Sequence, residues 1–313
     1  LVTGAGGYLG TRLLDALSHY VTPECKVPSV FGLSRSPVSN TQTGPNPIQI
    51  FQGDVAHPEL ARLLEELQPD VVFHLAAAPP EADWETHQKD TIEATRHLLE
   101  TLYAVHPQCR VIIPGSYLEY GDISGTVDET CLTNPKTEWT YFKSMQGQLA
   151  RLYSQTHGLA VVPVRLFEFF GGNQRQSWVS EIAAQVVLEE KRYEAYPKIR
   201  PLTKEGSRDI LPVSEVVRAL LALGEKGRGG EIYQIASGQT TSISTVIQIL
   251  LRHAKLKHFQ ILPKSTEPLS TLQGRINKIN VHTGWQPQFS LEEELVQELA
   301  YWRVRHQYLS EDN

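Results

Sequence analysis

The chain has 313 residues, with 41% hydrophobic and 20% charged side chains, the composition of an ordinary globular protein with material for one large α/β unit or two lobes. This excludes disordered, fibrous and disulfide-rich classes. Twenty-nine Lys and Arg against 35 Asp and Glu give a net charge of −6, which disfavours nucleic acid and anionic membrane as partners. Cys25, Cys109 and Cys131 are far apart and lack metal-ligand spacing, so no metal is expected and a reducing, cytoplasmic setting is. No apolar run approaches the roughly eighteen residues of a membrane helix. The only methionine is Met145, so Leu1 is not expected to be the native start.

In chain order, residues 1–3 read as the end of a buried strand, 4–10 as a glycine turn and 11–18 as an amphipathic helix with Leu13, Leu14 and Leu17 inward. Strands are expected at 30–33 and 48–51, separated by a polar loop at 40–47, and a helix at 59–67. Strands at 70–75, 110–113 and 160–166 alternate with helices at 91–104 and 140–157. Repeated β-then-α with apolar strands predicts an α/β fold with a doubly wound parallel sheet of the Rossmann type. After Gly171-Gly172 the pattern loosens, then returns to strand-like segments at 210–213 and 231–236. A smaller second lobe is expected from the later third of the chain, closed by a helix over 291–305.

Thr3-Gly4-Ala5-Gly6-Gly7-Tyr8-Leu9-Gly10 places glycines at 4, 7 and 10 between a strand and a helix. Glycines there permit a tight turn and let the first helix aim its N–H groups and positive end at a dinucleotide pyrophosphate, with the backbone at Tyr8 and Leu9 nearest it. At the end of the second strand Ser34-Arg35 replaces the acid that would bind a free 2′-hydroxyl. An Arg without an acid favours a 2′-phosphate, so NADP is expected, with NAD possible.

These features, with Gly53-Asp54-Val55, His74-Leu75-Ala76-Ala77, Gly115-Ser116 before Tyr120-Gly121, Tyr141 with Ser144, Arg165-Leu166-Phe167, Arg208-Asp209-Ile210, Ile232-Tyr233 with Ser237-Gly238, and Lys278 before Gly284-Trp285-Gln286-Pro287, resemble the extended short-chain dehydrogenases/reductases over nearly the whole length. That group includes nucleotide-sugar epimerases, dehydratases and keto-sugar reductases. The resemblance implies that Asp54 and Val55 meet the adenine and that Leu75, Ala76 and Ala77 lie beside the nicotinamide. It also implies that 1–171 with 209–236 bind the nucleotide, that 172–208 with 237–313 form the substrate lobe, and that the helices at 91–104 and 140–157 pair two copies into a homodimer. His74 and Trp285 are expected to be structural.

The family uses a Ser or Thr five residues before the Tyr-Gly glycine, and a Tyr and Lys four residues apart on one helix. By this resemblance Ser116 and Tyr141 are the catalytic residues, Tyr141 also touching cofactor. Position 145 is then Met145, and Lys143, two positions from Tyr141, is expected to point elsewhere. An unassisted tyrosine with a pKa of roughly 10 is ionised about one part in a thousand at neutral pH. Oxidation of an alcohol would therefore suffer more than reduction of a ketone, which needs only a neutral proton donor. The expected activity is an NADPH-consuming ketoreductase. An epimerase or dehydratase, and a catalytically retired nucleotide-binding protein, are the alternatives.

Family dehydratases carry an acidic pair after the catalytic Ser/Thr, whereas here Tyr117-Leu118 follow, which disfavours water elimination. Glu119 is expected to point away from the site. Where nucleotide-sugar enzymes of the family have an Asn after the Arg-x-Phe strand, this chain has Glu168, unfavourable beside a diphosphate. Arg208 and Arg275 could still clamp phosphate or serve in salt bridges. Ser116, Tyr117, Glu168, Arg208 and Arg275 are the expected substrate contacts. The substrate is a small-molecule carbonyl compound, either a natural-product ketone or a keto sugar.

Overall fold

A computed structural model gives the fold, described for all residues except 22–27, 39–43, 173, 175–176, 193–197, 202, 204–205, 257, 266–268 and 312–313. Cys25 and part of the expected 40–47 loop lie outside the described residues. The chain alternates β1 (Val2–Thr3), α1 (Tyr8–Ser18), β2 (Val30–Ser34), β3 (Ile48–Gln52), α2 (Leu60–Leu67), β4 (Val71–His74), α3 (Trp84–His87), α4 (Ala94–Val105) and β5 (Arg110–Ser116). A π-helical stretch, Gln88–Glu93, joins α3 to α4. A 3₁₀ turn at Tyr117–Tyr120 and β6 (Gly125–Val127) lead to α5 (Glu138–His157), β7 (Ala160–Leu166) and β8 (Glu168–Phe170). Then come α6 (Trp178–Arg192), β9 (Lys198–Ile199), β10 (Gly206–Arg208), β11 (Ile210–Pro212), α7 (Val213–Lys226) and β12 (Tyr233–Ile235). The chain ends with β13 (Thr241–Ser242), α8 (Ile243–Arg252), β14 (Gln260–Ile261), β15 (Leu269–Gly274), α9 (Asn277–Thr283) and α10 (Leu291–Glu311).

The central sheet has seven strands in the order β12-β7-β5-β4-β1-β2-β3, and every pairing in it is parallel. Both faces are covered, because alternate apolar residues on each strand point to opposite sides. Val2, Ile112, Val162 and Val164 pack with Leu13 and Leu14 of α1 and Leu220 of α7 on one face. Leu1, Val72, Val111, Ile113 and Val161 pack with Leu64 of α2, Leu98 of α4 and Ala150 of α5 on the other. A third core joins α6, α8 and α10 through Val179, Val186, Val246, Leu250, Leu295 and Leu299. A separate four-stranded sheet has the order β13-β10-β15-β6, its strands drawn from segments on both sides of β7 in the chain.

Strand order reverses between β1 and β4, and ligands of open parallel sheets bind outside the strand ends at such a reversal. The ends there are Thr3, Ser34, His74 and Ser116. The glycine turn brings α1 against the end of β1: a Cβ on Gly10 would sit 2.3 Å from the Gly4 carbonyl oxygen. Helix α1 begins at Tyr8, three residues before the expected start, with Gly7 as its N-cap and no side chain capping it. Its first N–H groups are thus left for a ligand. Helix α5 also starts early, because Thr137 caps it by accepting from Thr140 N at 3.2 Å. Helix α10 outruns its expected end by six residues, reaching Glu311, and Arg303 ties it to Glu190 of α6 at 2.7 Å.

Gly10→Ala is expected to destabilise the protein by about 1–3 kcal/mol, since backbone must move to admit the methyl group. Thermal melts check this, and an unchanged midpoint would contradict the tight turn.

Candidate active site

A cleft of 1480 Å³ opens at the reversal point. It exceeds the roughly 300–1,000 Å³ of a site for one small ligand, and suits a dinucleotide with a substrate beside it. Gly7, Tyr8 and Leu9 of the glycine turn line it, as do Leu75 and Ala77 after β4. Opposite stand Ser116, Tyr117, Glu168 and, from α5, Trp139, Thr140 and Lys143. The uncapped start of α1 and its bare glycine rim fit a pyrophosphate.

Tyr141 is not among the cleft-lining residues. It is 44% exposed on the outer side of α5, with its ring stacked on Trp84 at 5.8 Å. The assignment of Tyr141 to catalysis and cofactor contact, and of Met145 to a missing lysine, is therefore corrected by the geometry. Lys143 is buried and faces the cleft, and the residue four positions before it, also in the wall, is Trp139. Helical periodicity puts 139 and 143 one turn apart on one face and 141 on the other. The Tyr–Lys spacing of the family is thus filled here by Trp139 and Lys143.

Lys143 is fixed by a buried polar chain. Its Nζ donates to Gln146 Oε1 at 2.7 Å, and Gln146 Nε2 donates to Thr95 Oγ1 at 2.8 Å. Thr95 spends its only proton on the Thr91 carbonyl at 2.5 Å, so His74 Nε2, 3.0 Å from Thr95 Oγ1, must be the donor. His74 Nδ1 then accepts from Thr3 Oγ1 at 2.8 Å, and Thr3 Oγ1 takes the Ala76 N–H at 3.4 Å. This pattern needs a neutral imidazole, and burial with the nearby Lys143 charge depresses the His74 pKa to about 3. Burial lowers Lys143 to about 8, with Glu119 opposing the shift. Gln146 takes one of three N–H bonds on the ammonium, which leaves two for a ligand.

Ser116 ends β5 and caps the following turn, its Oγ accepting from Leu118 N at 3.1 Å. The hydroxyl proton stays available for an oxygen in the cleft. Glu119, expected to point away, is buried and accepts from Ser116 N at 2.8 Å while pairing with Arg165 at 3.3 Å. A Cβ on residue 115 would lie 2.2 Å from Glu119 Oε1, so Gly115 is what makes room for this brace. The spacing Ser116-x-x-Glu119 is a capping-box signal that reveals it in sequence. Burial raises the Glu119 pKa, and Arg165 and Lys143 pull it back.

Tyr117 donates to Glu168 Oε2 at 2.9 Å and stacks on Phe167. Burial raises both, Glu168 to about 7 against the pull of its hydrogen bond with Tyr117 and of Arg208. Arg208 is not among the cleft-lining residues but hydrogen-bonds Tyr117 and acts by charge on Glu168, and its neighbour Asp209 accepts from Ser237, Gly238 and Gly274 backbone N–H groups. Arg275 lies apart, 56% exposed and 3.8 Å from Asp128, so the geometry does not bring it to the cleft. Ser34 approaches the glycine turn, its Oγ 3.1 Å from where a Cβ on Gly6 would be. Arg35, 57% exposed, pairs with Asp90 at 2.7 Å and lies 4.0 Å from Asp54. Asp54 also accepts from Ala56 N at 2.9 Å, and Val55 is buried in the core. Gly4, Gly10 and Ala76 shape the turn from behind rather than lining the cleft.

His74 binds a proton in the unfolded chain below about 6.5 and resists it in the fold down to about 3. Its contribution to stability is therefore whole above that window and lost as pH falls through it, by about 1.4 kcal/mol per unit. Denaturant melts of wild type and His74→Gln should show stabilities that converge as pH falls from 7 to 5. A constant difference would contradict the buried neutral ring.

The profile of the NAD dependent epimerase/dehydratase family matches residues 1–236. A UDP-glucose epimerase of Bacillus subtilis strain 168, named as uncharacterized, is 28% identical over 321 residues, covering 96% of each chain. GDP-6-deoxy-D-mannose reductase of Pseudomonas aeruginosa is 26% identical over 319 residues, covering 97% of each. Among solved structures, RMD from Pseudomonas aeruginosa complexed with NADPH superposes with a TM-score of 0.80 at 23% identity, over 97% of this chain and 98% of that one. A UDP-N-acetylglucosamine 4-epimerase from Methanobrevibacter ruminantium M1 gives 0.81 at 20% identity, over 97% of both. The parallel sheet, the glycine turn at its reversal point and this match over three quarters of the length make the chain a member of the NAD dependent epimerase/dehydratase family, of the extended short-chain dehydrogenase/reductase type.

Proposed function

We propose that this chain is an NADPH-dependent reductase of a carbonyl group on a small molecule, either a natural-product ketone or a keto sugar. The observation that carries the reading is the convergence of Ser116 and Lys143 on a cleft that also contains the open start of α1. A reduced nicotinamide bound there would supply a hydride to the carbonyl carbon. Ser116 Oγ–H would bind the carbonyl oxygen and stabilise the charge that grows on it. The two unused N–H bonds of Lys143 would hold ribose hydroxyls, and its charge favours an anionic oxygen nearby.

The direction follows from Trp139. Indole N–H is a donor only and has no ionised form at accessible pH, so position 139 offers no base to take a proton from a substrate alcohol. Reduction needs no such base. The B. subtilis relative, an epimerase by name, supports a second reading, an epimerase of a nucleotide sugar. That reading requires a proton to be removed and returned and consumes no cofactor. Arg35 supports NADP, since a 2′-phosphate could take over the guanidinium from Asp90. The half-exposed Trp84, Tyr103, Tyr141 and Leu152 on the α3–α4 and α5 surfaces support a homodimer through these helices.

Loss of NADPH absorbance with a panel of ketones and keto sugars tests the reading. Net oxidation is expected, and sugar isomerisation without net NADPH loss would establish the epimerase instead. Tyr141→Phe should keep kcat within twofold, whereas Ser116→Ala should lower it about 100-fold, the scale of one lost oxyanion donor. A large loss in Tyr141→Phe would reinstate that tyrosine. Arg35→Ala should raise the KM for NADPH about 10-fold or more and leave that for NADH unchanged, the scale of one charged hydrogen bond. Equal effects on both cofactors would show that Arg35 does not read the 2′-phosphate.

A further inference from the structure

With Trp139 in the wall, the cleft needs another source for the proton that completes a reduction. We propose that Tyr117 is the catalytic proton donor of this cleft and that Glu168, acting through Tyr117, positions and recharges it. The inference rests on the reductase reading above. Tyr117 follows Ser116 directly and lines the cleft, as Glu168 does. Stacking on Phe167, with ring centroids 5.3 Å apart and planes 22° from parallel, fixes the phenol ring, and its hydroxyl reaches Glu168 Oε2 at 2.9 Å. Glu168 is carried by β8, which is hydrogen-bonded to β11 through Ile210–Pro212, a segment without charged side chains. Tyr117 from the 3₁₀ turn and Arg208 from β10 are the polar groups that act on its carboxyl.

The proton inventory closes within this pair. As the carbonyl carbon gains a hydride, the C=O π pair moves onto oxygen, the Tyr117 O–H bond breaks, and its proton joins that oxygen. The phenolate left behind takes the proton of the Glu168 carboxylic acid, and the resulting carboxylate is reprotonated by water. Burial holds that carboxyl near pH 7, so the acid form is well populated at neutrality. Above that pH Glu168 is ionised, engages the Tyr117 hydroxyl as an acceptor and keeps its proton from the substrate. Reduction should therefore decline as pH rises through about 7.

Tyr117→Phe and Glu168→Gln test the pair, with NADPH binding followed by fluorescence to confirm that each variant is folded. Tyr117→Phe should lose about 100-fold or more in kcat with KM nearly unchanged. Glu168→Gln should lose about 10-fold and no longer show the decline near neutrality, because Gln has no titrating proton. Infrared titration of the ligand-free protein gives a second readout that needs no turnover. A protonated-carboxyl stretch that disappears as pH rises through about 7 should be absent from Glu168→Gln and shifted in Tyr117→Phe. Retention of wild-type kcat by Tyr117→Phe, or a Glu168 carboxyl that titrates in the ordinary range near 4.5, would overturn the proposal. If the wild type reduces no carbonyl compound, the reductase reading falls, and the infrared titration alone decides whether the pair shares a proton as described.

Discussion

Lys143, Gln146, Thr95, His74 and Thr3 form one hydrogen-bonded chain from α5, across α4, to the ends of β4 and β1. Each buried polar atom in it that could be left unpaired has a partner, and the single proton of Thr95 fixes the direction of every bond. Buried polar groups that lose a partner cost about 1–3 kcal/mol each, so the chain resists any rotation of α5. That is why Lys143, and not the half-exposed Tyr141, faces the cleft. The same chain ends at Thr3 and Ala76, beside the glycine turn, and so couples the placement of the lysine to the nucleotide-binding end of the sheet.

A second brace sets the other wall. Arg165 on β7 pairs with Glu119, donates to the Tyr120 hydroxyl at 2.8 Å and lies over the Tyr120 ring, its guanidinium carbon 4.6 Å from the centroid. Glu119 in turn holds Ser116 N. The buried charge of Arg165 is thus used to lock the turn that presents Ser116 and Tyr117 to the cleft. The chemistry of that wall is unlike that of an ordinary polar cleft: a phenol and a buried carboxyl share a hydrogen bond where a diphosphate-binding amide would be expected in this family, and an indole stands one helical turn from the lysine. Under the proposed reading, these substitutions change where protons can come from while leaving the sheet and the glycine turn intact.

The Rossmann sheet was legible because its strands are apolar runs and the glycine spacing sits between a strand and a helix. Gly7, Tyr8 and Leu9 could be named from the glycine spacing, and Leu75, Ala77, Ser116, Tyr117 and Glu168 from the family resemblance, and all lie in the cleft wall. The register of the active-site helix was not legible in the same way. A tyrosine in the right neighbourhood drew the assignment to 141, yet the helix phase is set by Gln146 and Thr95, which meet 51 residues apart in sequence. The aromatic–Lys spacing of Trp139 and Lys143 was the available signal, and it is visible only if an indole is admitted where a phenol is expected. Glu119 lies outside the cleft wall as expected, but residues 117–120 form a 3₁₀ turn rather than a strand, so its brace to Ser116 N is legible only in the Ser-x-x-Glu spacing and not in strand alternation. Arg275 failed for a different reason: nothing local tells whether an arginine near a loop faces the cleft or, as here, an aspartate on the surface.

A crystal structure with bound NADPH and a carbonyl compound bears most directly on the central claim, the phase of α5. It should show Lys143 Nζ within hydrogen-bond distance of the nicotinamide ribose, with Trp139 in the wall and Tyr141 still stacked on Trp84 outside the cleft. A complex in which Tyr141 has turned inward to touch the carbonyl oxygen, with Lys143 withdrawn from the ribose, would contradict it.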